Sequence, residues 1–70
     1  MNKIENIRSL YNQISKKTAF IAMLAKDLGL NPQYVRSHYF SSFWTIPEKY
    51  QDRVIELLQK TIRLQNESKR

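Results

Sequence analysis

The chain contains no cysteine, one glycine, two prolines and one histidine among its 70 residues. The absence of cysteine excludes disulfides and thiolate metal sites, and it is compatible with a reducing cytosol. A single histidine has no second one with which to share a metal ion, so we expect no metal and no cofactor. Chains of this size support one domain and are often only marginally stable alone. We therefore expect residues 1–70 to form a single domain that is stabilised by a partner subunit.

Long apolar runs are also missing from the sequence. No segment approaches the roughly 20 apolar residues of a membrane-spanning helix, and Asn2, Glu5 and Asn6 interrupt the region where a signal peptide is apolar. The sequence shows no glycine-rich phosphate loop and no nucleophile with a neighbouring base, which argues against an enzyme. We therefore expect a soluble intracellular protein without a catalytic site or a small-molecule ligand.

Positive charge is what the sequence has in excess. Twelve Lys and Arg residues stand against six Asp and Glu, which gives a net charge of +6. Such an excess is typical of proteins that meet polyanions, and DNA, RNA and anionic membranes are all compatible with it. The alternative is that the charge only aids solubility.

The rare glycine and proline residues divide the sequence into helices. A capping box of Asn2 and Glu5 predicts a first helix that ends around residues 15–17. Its apolar residues at helical spacing are Ile4, Ile7, Leu10, Tyr11 and Ile14. We expect Thr18 to cap a second helix, which ends at Gly29 because glycine adopts the left-handed C-terminal conformation at little cost.

A third helix restarts almost at once after the glycine. Asn31 and Pro32 are suited to the N-cap and first-turn positions, and the helix is expected to reach about Ser42. Large aromatic side chains close the core beneath it in this interpretation. They are Tyr39, Phe40, Phe43 and Trp44.

The last helix is predicted to be the longest. Thr45 and Glu48 form a second capping box around Pro47, and the helix is expected over about residues 46–66. The predicted fold is therefore all-α, a compact four-helix domain with a longer C-terminal helix. The apolar face of this helix is broad enough to bind a second copy, and the expected dimer interface is Ile55, Leu58, Ile62 and Trp44, with Leu64 as a further candidate. The alternative is that this face is buried wholly inside the monomer.

Residues 20–40 have the spacing of a helix-turn-helix, because two helices joined by about three residues cross steeply. A small residue, Ala25, lies one turn before the glycine, and Val35 locks the third helix onto the second. This stretch resembles the helix-turn-helix of phage and bacterial repressors, and the added first and fourth helices are similar to the Cro, C-repressor and anti-CRISPR-associated repressor types. The residues that carry the resemblance are Leu24, Ala25, Leu28, Gly29, Leu30, Asn31, Pro32 and Val35. His38 departs from the pattern, and we expect it to be partly buried while Tyr39 takes the apolar packing role.

The resemblance implies that the helix starting at Pro32 enters the major groove of DNA. The base contacts that it implies are Asn31, Gln33, Arg36 and Ser37. The phosphate contacts are Lys16, Lys17, Thr18, Tyr34, Ser41, Ser42 and Lys49, and Asn31 is suited to this role too. Lys49 and Arg53 could form a second basic edge. The plainer alternatives are that Lys16 and Lys17 form a solvated linker and that Gln33 and Arg36 are merely exposed.

Three functions are compatible with this sequence. The first is a sequence-specific transcriptional regulator in a bacterial or phage-infected cell, a repressor that binds an inverted repeat of double-stranded DNA as a homodimer. The second is a protein-interaction module built on the same scaffold. The third is RNA or non-specific nucleoid binding, which shares the charge of +6 but makes no use of Gln33 in an exposed first turn. Phe43 and Trp44 could stack on bases in any nucleic-acid complex, although aromatic residues at a helix junction more often belong to the core.

Overall fold

A computed structural model describes residues 2–41 and 45–68 of the chain, which form four α-helices and no strand within those ranges. The helices are α1 (Lys3–Asn12), α2 (Lys17–Leu28), α3 (Pro32–His38) and α4 (Glu48–Ser68). The all-α fold with a longer C-terminal helix is thus confirmed. The roles expected of Ser42, Phe43 and Trp44 lie outside the described residues.

The start of α1 is capped as expected, whereas the start of α2 is not. The Asn2 side chain accepts a hydrogen bond from the Ile4 amide at 2.9 Å. Helix α2 begins at Lys17, so Thr18 lies inside its first turn and the prediction that Thr18 is the N-cap was wrong. The N-cap position is occupied by Lys16, whose side chain makes no capping hydrogen bond. The first turn of α2 is therefore held by tertiary packing rather than by a capping side chain.

The turn between α2 and α3 follows the predicted chemistry. Gly29 has φ 74° and ψ 31°, the left-handed conformation, and the Leu30 amide donates to the Ala25 carbonyl at 2.8 Å. Asn31 then caps α3, since its side-chain oxygen accepts from the Gln33 amide at 2.8 Å. Together these bonds define the path of the chain from the end of α2 to the start of α3.

Helix α3 ends at His38, earlier than Ser42, and α4 begins at Glu48, later than Ile46. Thr45 accounts for part of both differences. The Thr45 hydroxyl and amide donate to the His38 carbonyl at 2.7 and 3.3 Å, so Thr45 completes the end of α3 and is not the N-cap of α4.

The core lies where α1 packs on α4 and α2 packs on both α3 and α4. Its largest fully buried side chains are Phe20, Ile7, Ile14, Leu24, Leu58, Val35 and Val54. Burial of each such aliphatic or aromatic side chain stabilises the fold by about 1.5–3 kcal/mol. Tyr39 is buried with them, as predicted, and Phe40 stacks on Tyr11 with ring centres 4.6 Å apart.

Polar contacts join α4 to the rest of the domain near both of its ends. Arg53 donates to both carboxylate oxygens of Asp27 at 2.8 and 2.9 Å, which ties α4 to the end of α2. Near the other end of α4, the Gln65 side chain accepts from the Ser15 amide and hydroxyl and donates to the Gln13 carbonyl, each at 2.8 Å. Helices α2 and α4 therefore lie antiparallel.

Replacing Gly29 by Ala tests the turn. An added Cβ meets no atom within 4 Å, so the cost is the left-handed backbone alone. We expect Gly29→Ala to lower the free energy of unfolding by about 1–2 kcal/mol. Gly29→Asn is the matched control, and it should lose less because Asn tolerates this conformation better. Urea denaturation measures both, and equal losses would contradict the assignment.

The Asp27–Arg53 pair predicts an acid-dependent part of the stability. The hydrogen bonds from Arg53 lower the pKa of the Asp27 carboxyl from its ordinary value of 3.8. A carboxyl with a lowered pKa stabilises the fold above its unfolded value, and this contribution is lost as the pH falls through the folded value. We expect Asp27→Asn to flatten the decline of the unfolding free energy below about pH 4. Urea denaturation at each pH measures the free energy of unfolding. If this free energy falls with pH equally in wild type and Asp27→Asn, the pair does not contribute the acid-dependent stability.

Candidate nucleic-acid interface

One side of α3 belongs to the core and the other to the surface. Val35 and Tyr39, one turn apart, are buried. Gln33, Arg36 and Ser37 are exposed, and their spacing of three and four residues places them on a common outer face. Three of the four predicted base contacts are therefore brought together. Asn31, the fourth, is exposed at the start of this face and uses its side-chain oxygen to cap α3.

His38 is exposed, so the prediction that it is partly buried was wrong. Its ring stacks on that of Tyr34, with centres 4.3 Å apart and planes at 14°, and its Nδ1 lies 3.2 Å from the Tyr34 carbonyl oxygen. The signal for this pair was in the sequence, because aromatic residues four apart on a helix are neighbours. The stack holds the Tyr34 ring at the flank of the outer face.

The start of α2 and the outer face of α3 meet at Tyr11. The Lys17 ammonium lies 5.6 Å from the centre of the Tyr11 ring. Burial raises the pKa of the Tyr11 phenol, and the nearby charge of Arg36 partly offsets that rise. Lys17 and Arg36, which are distant in sequence, are thus both close to one side chain. Lys17 also donates to the Ile14 carbonyl at 2.8 Å, whereas its neighbours Lys16 and Thr18 are exposed.

A second cation lies beside the start of α3. Lys49 lines an open cleft together with Asn31, Tyr34 and Tyr50, and its ammonium is 5.1 Å from the centre of the Tyr50 ring. The exposed face of α3 is therefore flanked by Lys49 near its start and by Lys17 beside Tyr11. Sequence spacing did not reveal this arrangement, because it depends on how α4 and α1 pack.

Positive charge also predominates in the part of the sequence that contains α3. Residues 6–47 contain five Lys and Arg but one acidic residue, Asp27, whose carboxylate is held by Arg53. Most of the remaining carboxylates belong to α4, where Arg53 also contacts Glu56 and Lys3 pairs with Asp52. The part of the domain that carries α3 is consequently positive.

Several predicted contacts are not part of this face. Arg53 is bound to carboxylates, so the second basic edge reduces to Lys49, and Ser41 is half-buried. Leu58 has no exposed surface and packs inside the monomer, which makes it wrong as a dimer contact. Ile55 and Ile62 are half-buried against the core, and Trp44 lies outside the described residues.

Two kinds of site are absent from residues 2–41 and 45–68. No helix there has the length and apolar character to cross a membrane. No three His, Cys, Asp or Glu side chains in these ranges lie together as ligands of a metal ion.

Asn31 is expected to contribute to stability through its cap. Asn31→Ala removes the oxygen that accepts from Gln33 and should lower the free energy of unfolding by about 1 kcal/mol. Asn31→Asp keeps an acceptor at the same place and should stay within a few tenths of a kcal/mol of wild type. Urea denaturation distinguishes the two, and an Asp variant as unstable as the Ala variant would contradict the capping role.

The chain was compared with known proteins in three ways. It matches no protein-family model, no curated protein and no solved structure. Its function is therefore inferred from the charge and geometry of its own side chains.

Proposed function

We propose that the protein is a sequence-specific double-stranded DNA-binding transcriptional regulator, a repressor that acts as a homodimer on an inverted repeat in the cytoplasm of a bacterial or phage-infected cell. The observation that carries the proposal is the exposed face of α3, where Gln33, Arg36 and Ser37 lie between Lys49 on one flank and Lys17, beside Tyr11, on the other. We assign no catalytic reaction to the chain.

The side chains on this face have the chemistry that base recognition requires. A Gln side chain can form two hydrogen bonds with adenine in the major groove, and Arg can form two with guanine. Ser37 is short and can approach either a base edge or a phosphate. Helix α3 is anchored by Val35 and Tyr39 on its inner side, so these groups are presented from a rigid support.

The flanking groups suit the DNA backbone. Lys16, Thr18 and Lys49 are exposed, and phosphate contacts of this kind set the position of a recognition helix without reading sequence. Lys17 donates to the Ile14 carbonyl through one N–H of its ammonium, which leaves two N–H groups for a phosphate. Tyr34, held by its stack on His38, lines the same open cleft as Lys49.

Two substitutions separate base reading from phosphate binding. After selection of a target from random duplexes, Arg36→Ala should weaken binding to that target by about 5- to 150-fold and relax its sequence preference. Lys49→Ala should weaken binding to all duplexes alike and reduce the slope of log K against log salt by about 1. Fluorescence anisotropy over a salt series measures both effects.

Gln59→Ala, an exposed substitution on α4, is the control and should bind like wild type. Equal affinity of the wild type for all duplexes, or a preference for RNA, would sink the proposal. Retention of no duplex at physiological salt would favour the protein-interaction module instead.

A further inference from the structure

The most exposed large aliphatic side chains in the described part of the chain are on α2 and α4. Met23 is 42% exposed and Leu64 is 51% exposed. They border one groove of about 440 Å³ between the N-terminal half of α2 and the C-terminal half of α4, which Ile14 and Phe20 also line. We call this surface the α2–α4 groove.

The α2–α4 groove is poor in charge. Lys16 is its one charged lining residue, in a chain where 26% of residues are charged. The outer face of α2 beside it shows Ala19 and Ala22 to solvent, where a surface helix ordinarily carries polar side chains. Loss of charge around protruding apolar side chains is the compositional mark of an interface centre.

We propose that the α2–α4 groove is the homodimer interface and that its occupant is the same groove of a second copy, related by a two-fold axis. The surface carries both protruding side chains, Met23 and Leu64, and the depression between them. A two-fold contact requires such self-complementarity, because each copy must supply both the protrusion and the groove.

The position of the groove relative to α3 favours a second copy over another partner, and this step rests on the proposed function. Phe20 is at the groove, and the rise of an α-helix places Leu28 about 12 Å further along α2. Helix α3 packs on α2 at an interhelical distance of about 8–10 Å. Each α3 then lies up to about 20 Å from the axis, which allows the separation of about 34 Å between successive major grooves.

This interface replaces the one expected from Ile55, Leu58 and Ile62. Those side chains pack on the core of the single chain: Leu58 is fully buried, and Ile55 and Ile62 are partly buried. Of the DNA contacts proposed above, Lys16 lines the groove and would be covered by the second copy, whereas Gln33, Arg36 and Ser37 belong to α3 and stay uncovered.

Light scattering after size exclusion, without DNA, tests the interface. We expect the wild type to have the mass of a dimer and the double variant Met23→Glu with Leu64→Glu to have the mass of a monomer. The matched control is Ser9→Glu with Gln59→Glu, which adds the same charge at exposed positions of α1 and α4 and should remain a dimer. A monomeric wild type, a dimeric groove variant, or dissociation of the control alone would overturn the interface.

A second measurement does not depend on the folding of the glutamate variants. Because the chain has no cysteine, Leu64→Cys and Gln59→Cys each introduce a single site for a spin label or a disulfide. We expect oxidation to link two copies through Leu64→Cys and far less through Gln59→Cys. The reverse order, or no difference, would overturn the proposal.

DNA binding distinguishes failure of the interface from failure of the proposed function. The monomeric groove variant should still bind a half-site duplex with the wild-type preference and should lose the gain that a full inverted repeat provides. A groove variant that keeps this gain contradicts the interface while leaving DNA recognition intact. Absence of sequence preference in the wild type contradicts the function, whatever its mass.

Discussion

The left-handed conformation of Gly29 is the constraint on which the rest of the structure depends. It ends α2 within one residue, and the Asn31 cap and Pro32 begin α3 directly afterwards. Because the connection is so short, α3 must cross α2 closely, with Ala25 and Val35 buried between them. This crossing leaves one face of α3 in solvent and determines its direction relative to every other helix.

The other helices supply the surroundings of that face. Tyr11 of α1 stacks on Phe40 and lies near both Lys17 and Arg36, so it links the positive start of α2 to the outer face of α3. Helix α4 brings Lys49 to the opposite flank and holds Asp27 through Arg53. Asp27, the one acidic residue within residues 20–40, is thereby paired with Arg53, which leaves the motif's own positive charges available for an anionic partner.

The two sides and the C-terminal end of α2 have different roles. Its inner side fills the core with Phe20, Ile21 and Leu24, and its end directs α3. Its outer side, with Ala19 and Met23, belongs to the α2–α4 groove. In the proposed dimer, the same rigid rod therefore connects the two-fold axis to the recognition helix. A small tilt of one copy against the other would change the spacing of the two recognition helices, so affinity for a full site depends on interface packing.

The sequence by itself determined the features whose causes are local. Asn2, Gly29, Asn31 and Pro32 act through the backbone within a few residues, so the caps of α1 and α3, the turn and the all-α fold could be predicted, as could the common face of Gln33, Arg36 and Ser37. Tertiary structure decided what depends on distant neighbours. Helix packing buries Leu58 and leaves His38, Met23 and Leu64 exposed. It also brings Arg53 to Asp27 and lets the Thr45 hydroxyl donate to the His38 carbonyl. Helical spacing shows which residues share a face, but the packing of the other helices decides which faces are covered.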